Sequence, residues 1–384
     1  LRATGGTGAD GATAGWAQAV VSTSGSANAA TGPDGDADQD AIGAAVATAL
    51  GCRTEHVLHL STGVIGVRLP VDKVTATVAR VAVSELAATD DGFAAAAVSL
   101  RTTDSTTKMA TARVEVPAAS GHGTVRVTVS GIAKGVGMIH PRMATMLSIL
   151  LTDAPASPAT LHAILRGAAA VTWDQLSVDG DTSTNDTVYL LASGDSDAAS
   201  ADDNPATRAA LAAAVEAVAR DLARQQARDG EGATSLITCQ VSGAADDADA
   251  RAIARAVIAS SLVKAAVHGR DANWGRIAGA AGNAVVAEAA ILEAAGLTSE
   301  EARSRTGQPA AVDPAKLRIA IAGLIAYDGA LGGPTGIDKA AARAAMDTED
   351  VLVRLDLGLG DGTGEAFGCP LTEGYVKENS EYTS

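Results

Sequence analysis

Residues 131–153 read GIAKGVGMIHPRMATMLSILLTD, and this stretch decides how the chain is laid out. Its first half is punctuated by Gly131, Gly135 and Gly137, which suits a turn. Its second half, from Met146 to Leu151, is apolar except for Ser148 and is a buried strand candidate. Just before it, Val125–Val129 (VRVTV) alternates apolar and polar as a half-buried strand does. Just after it, Ser157-Pro158 supplies an N-cap and a first-turn proline for a helix through Ala170. Strand, glycine turn, strand and helix in succession point to a layered α/β or α+β architecture.

The same alternation continues outward. Towards the N-terminus the pattern predicts a strand from Ala19, a loop over Ser24–Asp36 and a helix over Asp38–Leu50. It then predicts a strand over His56–Leu60 running into a turn at Ser61-Thr62-Gly63, and a helix over Pro70–Leu86. The first fifteen residues, rich in Gly, Ala and Thr, read as coil. Towards the C-terminus strands are expected at Gln175–Val178 and Val188–Ala192, flanking the polar loop Asp179–Thr187. Helices are expected at Pro205–Arg228 and Ala248–Lys264, with a strand at Leu236–Val241 between them. The tail reads as strand (Leu317–Ala322), helix (Lys339–Met346) and two strands (Val351–Leu357, Ala366–Leu371).

Composition narrows the function. The 384 residues carry 29 basic and 45 acidic side chains, a net charge of −16. That argues against nucleic acid and against an anionic membrane surface, both of which need clustered Lys and Arg. Aromatic residues are 2%, so the core is built from Ala, Val, Leu and Ile, and base-stacking platforms are nearly excluded. Cys52, Cys239 and Cys369 are isolated from one another and form neither a disulfide framework nor a CxxC site, which suggests a reducing compartment. Neither a membrane span nor a signal peptide is read.

Several motifs fail on inspection. Gly6-Thr7-Gly8-Ala9-Asp10-Gly11 matches a dinucleotide pattern but lacks a preceding strand. Asp179, Asp181 and Ser183 begin like a calcium loop, yet its sixth and twelfth positions are Thr184 and Leu190. Ser261 to Lys264 matches SxxK without a companion KTG and reads as helix surface. His56 and His59 have no third ligand nearby, so zinc is not expected.

Thr145 is the residue with the sharper alternative. One reading is a glycine turn leading into a hydrophobic strand. The other takes the Thr145 hydroxyl as a nucleophile. That hydroxyl needs a base, and a cut just before it would expose an α-amine on the same residue. An α-amine of pKa about 7.7–8 is largely available near neutral pH. The hydroxyl itself can attack the Ala144 carbonyl, and a small residue at 144 leaves room for that attack.

The chain resembles the ornithine acetyltransferase (glutamate N-acetyltransferase) family of arginine biosynthesis. The likeness rests on SGSANAATG (24–32), STGVIG (61–66), TTD (102–104), KGVGMIHPRMATML (134–147), VDGDTSTNDT (178–187), DGEGA (229–233), LVKAAVHGRDANWGRI (262–277) and GCPLTEGYVKENSEYTS (368–384). The resemblance implies an α/β/β/α sandwich like that of N-terminal-nucleophile hydrolases. It implies self-cleavage between Ala144 and Thr145 into an α-chain (1–144) and a β-chain (145–384) that together form one interwoven catalytic unit. Thr145 would take the acetyl group of N-acetylornithine and pass it to glutamate by ping-pong chemistry, with no metal and no coenzyme. Acetyl-CoA would enter only as a substrate of a bifunctional enzyme. Thr62 and Gly63 would hold the oxyanion. Thr102, Lys134, Thr145, Glu231, Asn379 and Ser384 would contact substrate. The implied assembly is a cytoplasmic homo-oligomer of αβ units.

The loop 178–187 and the block HGRDANWGR read as structural. Arg142 stands where the family usually has Asn, three residues from the scissile bond, so cleavage rate is the property it bears on. Two other readings stay open: a related self-processing aminopeptidase that releases its acyl group to water, and an inactive truncated homologue.

Overall fold

The computed structural model describes residues 15–140 and 146–380. The glycine pattern at Gly6–Gly11 lies outside the described residues, as do Ala144, Thr145 and Ser384. The elements run β1 (Ala19–Ser26), α1 (Gly32–Leu50), β2 (Val57–Val64), α2 (Val71–Ser84), α3 (Asp90–Leu100), β3 (Lys108–Pro117), β4 (Thr124–Lys134), β5 (Leu147–Thr152), α4 (Pro158–Val171), β6 (Leu176–Ser177), β7 (Thr187–Ala192), α5 (Pro205–Arg228) and β8 (Leu236–Ala244). They continue with α6 (Asp247–Ala259), α7 (Ser261–His268), α8 (Trp274–Gly282), α9 (Ala289–Ala294), α10 (Ser299–Arg305), β9 (Arg318–Ile321), β10 (Leu324–Asp328), β11 (Gly333–Pro334), α11 (Lys339–Ala345), β12 (Asp350–Asp356), β13 (Gly362–Gly368) and α12 (Glu373–Ser380). The mixed α/β class expected from the sequence is the one observed.

The chain divides into two compact units. The first comprises 1–135, 143–165 and 183–218, and the second 136–142, 166–182 and 219–384. Each draws on sequence from both sides of the 144/145 bond.

The first unit holds a four-stranded sheet in the order β3-β4-β5-β7 and a parallel pair, β1-β2. In β4 the period-two pattern buries Val127 and Val129 on one face. Strand β4 then pairs antiparallel with β5, setting Lys134 opposite Leu147, and β5 pairs parallel with β7, setting Leu147 opposite Thr187. Helix α3 starts where the Thr89 hydroxyl accepts the Gly92 amide and Asp90 and Asp91 meet the helix N-terminus. It buries Ala97 and Leu100 against Leu60, Ile132 and Leu147. Burial of a leucine such as Leu100 stabilises the unit by roughly 1.5–3 kcal/mol.

The second unit holds a seven-stranded sheet in the order β11-β10-β9-β12-β8-β13-β6. Within it β8 runs parallel to β12 and antiparallel to β13. Helix α6, capped where Asp246 accepts the Asp249 amide, lies on β8 and β13. Helix and strand come very close here. A Cβ on Gly364 would sit 2.5 Å from the Arg251 nitrogen, and one on Gly362 would sit 2.2 Å from the Asp246 carbonyl carbon. A core this poor in aromatics is filled by bringing backbones together over small residues.

Four expectations are corrected. The helix over Ala248–Lys264 is two helices, because Ser260 leaves helical geometry (ψ 113°) and its hydroxyl caps α7 by accepting the Val263 amide. Helix α1 begins earlier than Asp38, with Pro33 in its first turn. The last strand lies at Gly362–Gly368, because its glycines hide the alternation. Ser61-Thr62-Gly63 is not a turn but part of β2. Gly63 sits there at φ +124°, where a Cβ would meet the Gly25 backbone at 2.3 Å. Among the described residues no helix is long and apolar enough to cross a membrane.

Candidate functional site

In the first unit the register of β4 and β5 places Lys134 at the end of its strand, opposite the residue two beyond Thr145. Lys134 is 3% exposed, and its ammonium donates to the Thr62 hydroxyl at 3.0 Å across a gap of 72 residues in sequence. Thr62 is itself buried, on β2 beside Gly63. The hydroxyl oxygen accepts from a cation, so its proton can be donated to a second acceptor, and the ammonium polarises it in that sense. Thr102 follows α3. Its amide donates to the Asp104 carboxylate at 3.2 Å, and the same carboxylate accepts the Gly135 amide and the Lys108 ammonium, both at 2.8 Å. The structure therefore joins Thr102 to the Lys134-Gly135 step through one carboxylate. Asp104 and Lys108 form a fully buried ion pair, which is tolerated because both ends find hydrogen bonds.

Asp186 completes this cluster. Its carboxylate accepts the amide of Met146, the residue bonded to Thr145. Burial pushes its pKa up to about 8, opposed by the Met146 amide and the Lys134 charge. The neighbouring Asn185 amide donates to the Ser61 carbonyl at 3.2 Å and to the Ser61 hydroxyl at 3.0 Å, tying the loop to β2. Sequence reasoning set this loop aside as structural. The signal it passed over is an acid immediately before a strand that pairs with the strand after Thr145.

In the second unit Glu231 is 7% exposed, in the turn after α5. Its amide donates to the Val136 carbonyl at 2.8 Å, and its carboxylate accepts the Asn379 side-chain amide at 2.8 Å. Gly137 is required beneath it, since a Cβ there would lie 2.2 Å from the carboxylate oxygen. Helix α12, which carries Asn379, packs on Gly232, where a Cβ would sit 2.2 Å from the Tyr375 nitrogen. The Thr372 hydroxyl donates to the Gly232 carbonyl at 2.7 Å and accepts the Tyr375 amide at 3.2 Å. Asp179 accepts the amides of Met138 and Ile139 at 2.5 and 3.0 Å, which holds Met138 at its positive φ of 52°. Burial and the surrounding Asp179, Asp181 and Glu231 push the Tyr375 hydroxyl well above its ordinary pKa.

Of the residues expected at the site, Thr62, Gly63, Thr102 and Lys134 are thus gathered in the first unit, and Glu231 and Asn379 meet in the second. Thr145, Ala144 and Ser384 lie outside the described residues. Lys264 is a correction. It is not helix surface: it is 2% exposed, and its ammonium donates to the Ser177 and Cys369 carbonyls at 3.1 and 2.9 Å. An amphipathic pattern assigns every lysine to water, whereas this one satisfies two buried strand-end carbonyls.

Comparison with known proteins gives a consistent result. The ArgJ family model matches residues 8–384. The arginine biosynthesis bifunctional protein ArgJ of Thermosynechococcus vestitus is 42% identical over 374 residues, covering 97% of this chain and 84% of that protein. The ArgJ protein of Thermus thermophilus is 41% identical over 367 residues, covering 96% and 83%. The crystal structure of the ArgJ protein from Bacillus halodurans matches with a TM-score of 0.52 at 36% identity, over 62% of this chain and 99% of that one.

Proposed function

The chain belongs to the ArgJ family, and from that premise we propose that it moves an acetyl group from N-acetylornithine to glutamate through an acetyl ester on Thr145. The Thr145 hydroxyl first attacks the Ala144 carbonyl, and hydrolysis of the resulting ester leaves chains 1–144 and 145–384. The new α-amine then accepts the hydroxyl proton as Thr145 Oγ attacks the acetyl carbonyl. The tetrahedral intermediate carries an oxyanion, which the Thr62 hydroxyl and the Gly63 amide stabilise. Collapse expels ornithine with a proton on its nitrogen. Glutamate's amine attacks the acetyl ester, passes through the same oxyanion site, and leaves as N-acetylglutamate.

The observation that carries this reading is the Lys134–Thr62 hydrogen bond, in a buried cluster whose strand register reaches the residues next to Thr145. A hydroxyl held by an ammonium is poised to donate to a developing negative charge. Glu231, steadied by Asn379, is suited to the side-chain amine of ornithine. Thr102 and Ser384 are the remaining substrate contacts. The chemistry requires no metal and no coenzyme, and acetyl-CoA enters as a second acetyl donor in the bifunctional form. Copies of the αβ unit associate with one another in the cytoplasm.

The test is to incubate purified protein with N-acetylornithine alone and weigh the 145–384 chain. An acetyl adduct that glutamate then discharges as N-acetylglutamate supports the reading. Adduct loss to water at the same rate with or without glutamate contradicts it. Acetyl-CoA with glutamate then separates the bifunctional enzyme, which makes product, from the monofunctional one, which does not.

A further inference from the structure

A cavity of about 180 Å³ opens in the second unit against helix α6, and among the described residues none of those in the proposed reaction lines it. Its polar lining is His140, Asp174, Gln175, Arg251 and Arg255, the two arginines one helical turn apart and therefore on the same face of α6. The rest of the lining is largely small and apolar, with Ala252, Ala256, Ile291 and Leu292 contributing.

Two guanidinium groups are heavily buried there. The Arg251 side chain is 11% exposed, and Arg255 is 7% exposed. The nearest acid to Arg251 is Asp247, whose carboxylate lies 3.8 Å from Nη1, beyond hydrogen-bond distance. The Nη2 atom of Arg251 is buried with no hydrogen-bond partner among the described residues. Burial lowers the Arg251 pKa, partly offset by Asp247 and Asp246, so the cation is held at a cost. Arg255 Nη2 donates to the His140 carbonyl at 3.4 Å. The wall also includes Asp174, Gln175 and His140, and Asp246 and Asp247 act on Arg251 from the start of α6, so the feature that favours an anion is the unmet Nη2 donor rather than the net charge.

A buried guanidinium with an unmet donor beside a cavity is arranged to receive an anion. We propose that this cavity is a binding site for a small carboxylate with a short aliphatic body, its carboxylate on Arg251 and Arg255 and its carbon chain against the α6–α9 wall. The planar fork of arginine matches a carboxylate, and the apolar wall selects an aliphatic acid over a fully hydrated anion. The site stands apart from the acetyl-transfer reading: none of Thr62, Lys134, Glu231 or Asn379 lines it.

The test is isothermal titration of the full chain with sodium butyrate and, separately, with inorganic phosphate. One butyrate per chain is expected, in the roughly millimolar range for so small a ligand. Arg251→Met is expected to weaken it by about tenfold or more, the value of a lost charge-assisted contact. Ala256→Leu fills the cavity while keeping both charges, and it too is expected to weaken butyrate, which guards against misfolding of the arginine variant. Glu231→Gln, which disturbs the acetyl-transfer reading, is expected to leave butyrate affinity unchanged. Absence of butyrate binding overturns the proposal, as does binding that survives both Arg251→Met and Ala256→Leu. Phosphate binding more tightly than butyrate overturns the carboxylate assignment. Acetyl transfer is measured on the same preparations, so loss of one reading is distinguishable from loss of the other.

Discussion

The Lys134 cluster and the Glu231 cluster solve the same problem, holding a charge ready for a ligand, by opposite means. Lys134 is buried at a strand end among groups that other strands bring to it: Thr62 on β2 of the neighbouring sheet, and Asp186 just ahead of β7. Glu231 sits in a glycine-lined turn and accepts a side-chain hydrogen bond from Asn379, an exposed residue of the eight-residue helix α12. The first arrangement has many supports and little freedom. The second depends on a short, exposed helix, a kind of element that opens more readily than a buried strand. The difference predicts that substitutions in the first cluster damage folding or chemistry severely, while those in the second act mainly on substrate affinity.

The largest expected effect comes from the ion pair beneath the first cluster. Lys108→Met leaves the Asp104 carboxylate buried with only its amide contacts, and should cost about 3–5 kcal/mol of stability in urea denaturation. A loss below about 1 kcal/mol would show that the first cluster is as loosely built as the second. Next, Lys134→Met removes the charge polarising Thr62 and should lower kcat about 10²–10³-fold with little change in KM. A pure KM effect would move Lys134 into the class of Glu231.

Asp186 gives a smaller effect that depends on pH. Its folded pKa of about 8 stands above its ordinary value of 3.8, so between those limits the native state holds a proton that the unfolded chain has released. Stability from this group is full below about pH 4 and is lost as pH rises through 8, by up to about 1.4 kcal/mol per pH unit. Asp186→Asn can still accept the Met146 amide, and it should flatten that slope in denaturation curves taken from pH 5 to 8. An unchanged slope would place the acid in water. The smallest effect belongs to the second cluster. Asn379→Ala deletes one hydrogen bond to Glu231 and should raise KM about fivefold with kcat nearly kept, the value of roughly 1 kcal/mol. A collapse of kcat instead would erase the contrast between the clusters.

What the sequence made legible follows the same division. Helix α5 was readable to its ends, since Pro205 opens it and a long periodic run sustains it. Strand β5 was readable from its apolar run. Helix α3 was not: DDGFAAAAVSL has a glycine near its start and four alanines that carry no period, and only Leu60, Ile132 and Leu147 make it a core element. The residue types expected at the site follow from the family resemblance, but their partners do not. Nothing local announces that Lys134 meets Thr62, a contact between two separate sheets, or that Asp186 reaches the Met146 amide, which the β5–β7 pairing sets up. Lys264 was misplaced for the related reason that hydrophobic periodicity cannot register a lysine whose hydrogen bonds are all internal.

The central claim is that Thr145 becomes the first residue of its own chain. Intact mass spectrometry of the purified protein under denaturing conditions tests it most directly. Two species, the larger spanning 145–384 and beginning at Thr145, are the predicted result. A single uncut chain, or a cut at any other bond, would contradict the account.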